Sequence, residues 1–309
     1  CTLPPLSAAD WQQAFAKYQL TPEFRDVNHA MTLAEFKGIF WWEYSHRLLG
    51  RAIGVAFLLP FLYFLVRRRI PRGFAKSLAS IFVLGGLQGA LGWYMVQSGL
   101  VDDPRVSQFR LTAHLGLAVL IFGAMLWTAL SLLDTGHLDA GVLESPPATP
   151  VSANLRRFAY GVCALVFAMI LTGGLVAGIR AGFAYNTFPS MNGHAVPPEI
   201  LMITPWWRNF FWNMATVQFD HRLLAYTLAV VITWLAIALN RREGVPRRAR
   251  IGSRLLLAML AVQVALGIST LLLVVPIPLA ALHQAGAVLV FAAAINVAHA
   301  MRARPERAR

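Results

Sequence analysis

Charge is what this sequence has least of. Only 13% of its 309 residues are charged, while 57% are hydrophobic; soluble domains run at about 25% charged, so a water-exposed globule is excluded. Cysteine is nearly missing. Cys1 stands at the terminus and Cys163 inside an apolar block, which leaves no disulfide framework and no CxxC pair. Acid is scarcer than base, with 14 Asp and Glu against 27 Lys and Arg for a net charge of +13. The basic residues sit in short clusters between apolar blocks, which is how membrane topology is written, so nucleic acid is excluded as a partner.

What is present is long apolar runs. Residues 1–45 are polar to amphipathic, broken by Pro4, Pro5 and Pro22, and Phe36, Phe40, Trp41 and Trp42 gather at their end as an interfacial aromatic belt. Seven spans follow, at about 44–66, 76–97, 110–133, 157–179, 217–239, 253–275 and 279–301. Each is long enough to cross roughly 30 Å of hydrocarbon at about 1.5 Å per residue. The fold class is therefore all-α, a polytopic transmembrane protein.

Arginines set the orientation. Arg67 to Lys76, Arg156–Arg157, Arg241 to Arg254 and Arg302 to Arg309 carry most of the basic residues and are placed in the cytoplasm. Val101 to Gln108, the loop from Arg180 to Thr216, the turn from Pro276 to Pro278 and the amino-terminal segment then face outward. Within the longest outer loop, Trp206, Trp207, Phe210, Phe211 and Trp212 surround Arg208, a composition suited to the interface plane. His137 to Asn154, with Pro146, Pro147 and Pro150, reads as a linker between halves. The domains are an amino-terminal bundle over 1–136, a cytoplasmic linker over 137–155 and a carboxy-terminal bundle over 156–309.

The stretch Phe36 to Arg51, FKGIFWWEYSHRLLGR, brings Glu43, His46, Arg47 and Arg51 to the start of an apolar run. Ionisable groups cost roughly 2.5 to 3.5 kcal/mol each at the centre of a membrane helix, so they mark a site. The stretch recurs at a shift of 175 residues: Phe211 falls under Phe36, Gln218 under Glu43, His221 under His46 and Arg222 under Arg47. His114 and His283 complete a pattern, because all four histidines lie near the outer ends of spans running inward. Parallel repeats of this kind imply two pseudo-symmetric helical bundles.

Two histidines facing each other at one depth are what six-coordinate haem needs, each neutral imidazole giving one axial ligand. Zinc or copper would want three or four converging ligands, with carboxylate or sulfur among them. Small residues follow each histidine by one turn, at Gly50, Ala118, Ala225 and Ala287, as a flat macrocycle requires and as helix packing alone also favours. Arg47 and Arg222 are candidates for haem propionates or for lipid headgroups. Gln88 and Gln263 read as hydrogen bonders between helices. His29, His137, His194 and His299 read as solvated or interfacial. Glu43 shares a helix face with His46, three residues on, and is either a reactive acid or an interfacial partner of Arg47 or Arg51.

WEYSHRLLGR, GGLQGALGWYMVQSGL, VSQFRLTAHLG, GGLVAGIRAGFAYNTFPSMNG, VQFDHRLLA and LGISTLLLVVPIPLAALHQAGA, in that order, resemble the haem A synthase family over nearly the whole chain. The resemblance implies an oxidoreductase that converts haem O to haem A, for cytochrome oxidase, by oxidising a ring methyl to a formyl group. It implies that His46 and His114 bracket the iron of the substrate haem O, that His221 and His283 hold the iron of a haem b cofactor, and that Glu43 is the catalytic carboxylate. Implied partners are haem O and haem A, membrane lipid, a haem O synthase and an electron donor, with homo-oligomerisation left open. The implied location is the bacterial inner membrane, or the mitochondrial inner membrane in a eukaryote, with the haem sites near the outer face. The family pattern is eight helices in two four-helix bundles, so a first span is expected ahead of Cys1, and the cysteine pairs of the family's other branch are missing. Two other readings stand beside it: a two-haem cytochrome b that only transfers electrons, and a repeat-built transporter whose Gly85–Gly86 and Gly173–Gly174 pairs would break helices.

Overall fold

The computed structural model describes residues 4–97, 106–139 and 152–302. Ten helices account for most of these residues, and the only strand-like pairing among them is the isolated bridge between Met191 and His194. The linker 137–155 lies largely outside the described residues. Seven helices are long and apolar enough to span a membrane: α3 (Leu33–Val66), α4 (Phe74–Gln97), α5 (Gln108–Asp139), α6 (Ala153–Gly178), α8 (Met214–Arg241), α9 (Arg247–Leu272) and α10 (Ile277–Ala300). The protein is an all-α, multi-pass membrane protein. Its apolar side chains point outward in quantity, Leu48, Leu49, Ile53, Leu59, Val83 and Val230 among them, a surface that lipid accepts and water does not.

The chain forms two compact units, Cys1–Ala118 and Val119–Arg309, with the division falling inside α5. In the first unit α1 (Ala8–Gln19) and α2 (Pro22–Asp26) precede α3. Neither short helix is evident from the composition. Ser7 with Asp10 caps α1, and Thr32 with Glu35 caps α3, each as a reciprocal box satisfying otherwise orphaned backbone donors. That second cap starts α3 at Leu33, well before the apolar run, and makes a helix of 34 residues. At about 1.5 Å per residue this is roughly 51 Å, more than the bilayer core requires. The extra turns are not a bare aromatic belt. Trp11 meets Phe36, Phe40 and Trp41, while Phe15 and Tyr18 pack on Phe36, so α1 folds back onto the start of α3. Trp42, 82% exposed, keeps the belt role.

In the second unit α6, α8, α9 and α10 form a ring in which α6 packs on α8, α8 on α9, α9 on α10 and α10 on α6. Val162, Val166, Ile170, Leu228, Ile232, Leu235, Leu256, Val290 and Ile295 fill its centre. The Gly85–Gly86 and Gly173–Gly174 pairs lie within unbroken helices, which removes the broken-helix argument for a transporter. At one end of the unit, Asp134 of α5 accepts from Arg248 Nη1 at 3.1 Å and pairs with Arg302 Nη2 at 3.0 Å. His299 joins this cluster, its Nε2 lying 3.0 Å from Ser131 Oγ. It is 1% exposed, so the solvated reading of His299 is wrong. Trp127 packs edge-on to its ring and Asp134 lies near it, both from α5 and out of reach of local sequence reasoning.

Candidate functional site: a histidine pair in each unit

The first unit presents His46 from α3 and His114 from α5, within electrostatic range of each other. His46 is exposed and His114 half-buried. One turn before His46, Glu43 accepts a hydrogen bond from Arg47 Nη1 at 2.8 Å, with the two side chains 46% and 48% exposed. The pair is the i, i+4 kind that helix geometry offers wherever acid and base are so spaced. Gly50 has open space around it, since an added Cβ would meet nothing within 4 Å. His114 is seated against α4. Gln88 Nε2 donates to its backbone carbonyl at 3.0 Å and lies 3.4 Å from its ring Nε2, and a Cβ on Gly92 would stand 2.9 Å from its Cε1. Glycine is therefore needed at 92 for the ring to lie there.

The second unit presents His221 from α8 and His283 from α10, again within electrostatic range. The seat of His283 repeats that of His114. Gln263 Nε2 donates to its carbonyl at 2.8 Å and lies 3.1 Å from ring Nδ1, while a Cβ on Gly267 would stand 2.8 Å from its Cε1. His221 is held from α6, where Thr172 Oγ1 sits 2.8 Å from its Nδ1 and Gly173 faces its Cε1. Gln88 and Gln263 thus act as interhelical hydrogen bonders. Thr172, Gly92 and Gly267 were not singled out from sequence, and Gly173 was read only as part of a helix-breaking pair. The signal for part of this was present, because the spacing Gln-x-x-x-Gly occurs at 88–92 and recurs, 175 residues on, at 263–267.

Gln218, the counterpart of Glu43, is 3% exposed and has a structural task. Its Nε2 donates to the carbonyls of Ala181 and Tyr185 at 2.9 and 3.3 Å, and its Oε1 accepts from Arg222 Nη2 at 3.2 Å. Arg222 also reaches the carbonyls of Tyr185, Pro189 and Ser190. These bonds tie the loop between α6 and α8 to α8. The loop is further stitched by buried Asn209, which bonds both backbone groups of Ile203 and the carbonyl of Trp206. Its aromatic stretch is a short turn leading into α7 (Asn209–Trp212), with Trp206 and Trp207 exposed and Arg208 over the ring of Trp212. Beside it, a cavity of about 490 Å³ is lined by Tyr185, Glu199, Trp212 and Asn213, and the phenol of Tyr185 donates to Glu199.

Haem fits the donor set. Among the described residues no three His, Cys, Asp or Glu side chains converge as a metal-holding group, which disfavours a site built from protein ligands alone. Two imidazoles per unit match axial ligation of a macrocycle. Polar atoms at these seats also lack partners: His114 Nδ1, Gln88 Oε1, Gln263 Oε1 and Arg222 Nε are buried with no hydrogen bond among the described residues. Buried groups of that kind are rare in native proteins unless a ligand or water completes them.

The family model described as cytochrome oxidase assembly protein, COX15-CtaA, matches residues 1–295. A heme A synthase of Nitrosospira multiformis is 56% identical over 97% of this chain and 82% of its own length. One from Nitrosomonas eutropha is 51% identical over 96% of this chain and 81% of its own. The mouse protein named Heme A synthase COX15 is 46% identical over 98% and 73%.

Proposed function

This chain belongs to the COX15-CtaA family of cytochrome oxidase assembly proteins, and on that premise we propose that it is a haem A synthase, an oxidoreductase that converts haem O to haem A. The observation that carries the reading is the presence of one histidine pair in each unit, His46 with His114 and His221 with His283, in a chain whose relatives bear that name. In this account residues 1–136 hold the substrate haem O between His46 and His114. Residues 156–309 hold haem b between His221 and His283, and 137–155 link the two. The protein sits in the bacterial cell membrane, or in the mitochondrial inner membrane in a eukaryote, with both sites near the outer face.

The net change at one ring methyl of haem O is –CH3 + H2O to –CHO with release of four protons and four electrons, taken two electrons at a time through an alcohol to a hydrate that loses water, with the electrons leaving to an external oxidant. Haem b, when bound, supplies one-electron redox chemistry at its iron. The residues do the rest. His46 and His114 fix the substrate in the membrane, and Glu43, on the face of His46, accepts or returns protons as hydroxyl is introduced. Its salt bridge is half exposed, so Arg47 can part from it at little cost and pair with a propionate. Arg222 has its two terminal nitrogens on the outer loop, which leaves Nε as its donor toward an anionic group.

Extraction of pigment from the protein expressed in a host that makes haem O but not haem A tests this directly. Haem A, with its alcohol precursor, is the expected product. Recovery of haem b with unaltered haem O would instead mark a cytochrome that only carries electrons.

A further inference from the structure

An imidazole that gives Nε2 to iron must keep its proton on Nδ1, and metal-bound histidines almost always donate that proton to a neighbour. In the second unit His221 has such a neighbour. Thr172 Oγ1 lies 2.8 Å from His221 Nδ1 and also 2.8 Å from the carbonyl of Met169. A hydroxyl has one proton, and a carbonyl can only accept. The Thr172 proton therefore goes to Met169, and toward His221 the hydroxyl oxygen accepts, which selects the tautomer with Nδ1 protonated and Nε2 free.

At His283 the neighbour is Gln263. Its amide nitrogen grips the His283 carbonyl at 2.8 Å and lies 3.1 Å from Nδ1, while its Oε1 is buried with no partner among the described residues. The carboxamide is confined on both sides. Gly267, on the same helix one turn on, admits the edge of the imidazole, and Gly286 on α10 leaves room for Oε1, which a Cβ there would strike. The amide nitrogen can only donate, toward the carbonyl and toward Nδ1 alike, so Gln263 fixes where the His283 ring lies and is not an acceptor for its proton.

We propose that Thr172 is a positioning residue for the second histidine pair, holding the His221 imidazole in the Nδ1-protonated tautomer and tuning its donor strength toward iron. This rests on the reading of His221 and His283 as haem b ligands.

The test is the midpoint potential and low-spin spectrum of haem b in the purified protein. Losing the acceptor makes the imidazole a poorer donor and favours the ferrous state, so Thr172→Val should raise the potential and weaken haem retention by about 10- to 100-fold. Thr172→Ser keeps the hydroxyl and should hold the wild-type potential. A merely structural role would leave the potential of Thr172→Val unchanged or move that of Thr172→Ser as far, and either result overturns the proposal. A wild-type protein without low-spin haem b would remove the ligand assignment beneath it as well, and is distinguished by being seen before any substitution is made.

Discussion

Glu43 and Arg47 face each other across one turn of α3, with Oε1 and Nη1 2.8 Å apart and both side chains about half exposed. Ion pairs in such surroundings contribute about 0 to 1 kcal/mol, so breaking this one should neither unfold the protein nor release haem. Glu43→Gln is therefore expected to keep wild-type expression and haem b content while losing about 10² to 10⁴-fold in haem A formation, the range of a general acid–base contribution. The check is haem A formed per haem b in the purified variant. A wild-type ratio would take Glu43 out of the chemistry.

The reverse substitution should fail for a different reason. Gln218→Glu would set a carboxylate oxygen against the carbonyls of Ala181 and Tyr185, where Gln218 Nε2 now donates. Loss of those bonds at a buried site costs about 1 to 3 kcal/mol. In purified protein the loop from Arg180 to Thr216 should become more sensitive to protease, and equal cleavage rates for variant and wild type would count against its role as the loop's anchor.

Asp134 is the third prediction. It is 7% exposed and paired with both Arg248 and Arg302, and His299 lies beside it. Removing one partner of a fully buried pair costs about 3 to 5 kcal/mol. Arg248 and Arg302 keep 36% and 23% of their side-chain surface and can regain water, so Asp134→Asn should cost less, about 1 to 3 kcal/mol. Thermal unfolding in detergent measures it, and an unchanged transition would show that the network contributes nothing net.

The loop that carries Tyr185 and Glu199 should also respond to pH. The Tyr185 phenol holds the Glu199 carboxyl below its usual 4.5, and burial, reinforced by Glu199, pushes the Tyr185 phenol up to about 12. A depressed acid contributes stability above its unfolded value that is lost as pH falls through the folded one. A raised phenol contributes stability below its unfolded value of 10.0 that is lost as pH rises through about 12. Tryptophan fluorescence from Trp212, which lines the same cavity, should be flat between those limits and change beyond each. Tyr185→Phe should shift the acid arm upward and abolish the alkaline one.

Much of this was legible in the sequence because membrane proteins write their architecture in hydropathy. The seven spans, the four histidines, the Glu43–Gln218 asymmetry and the family all follow from apolar length and from one repeat. What was not legible depended on contacts between distant segments. The capping boxes at Ser7 and Thr32 were readable signals, yet the folding of α1 onto Phe36 and Trp41 is tertiary, as is the burial of His299 against Trp127. Thr172 stands far from His221 in sequence and shares no motif with it. The repeat aligns Gln218 with Glu43, while its task is set by the carbonyls of Ala181 and Tyr185, which only the fold brings near.

The account stands or falls on the division of labour between the two histidine pairs, and haem b bound per polypeptide in four single variants measures it. Each replacement removes one axial ligand. His221→Ala and His283→Ala should lose most haem b, while His46→Ala and His114→Ala should retain it and lose haem A formation. Equal loss of haem b from all four would contradict the assignment of substrate to the first pair and cofactor to the second.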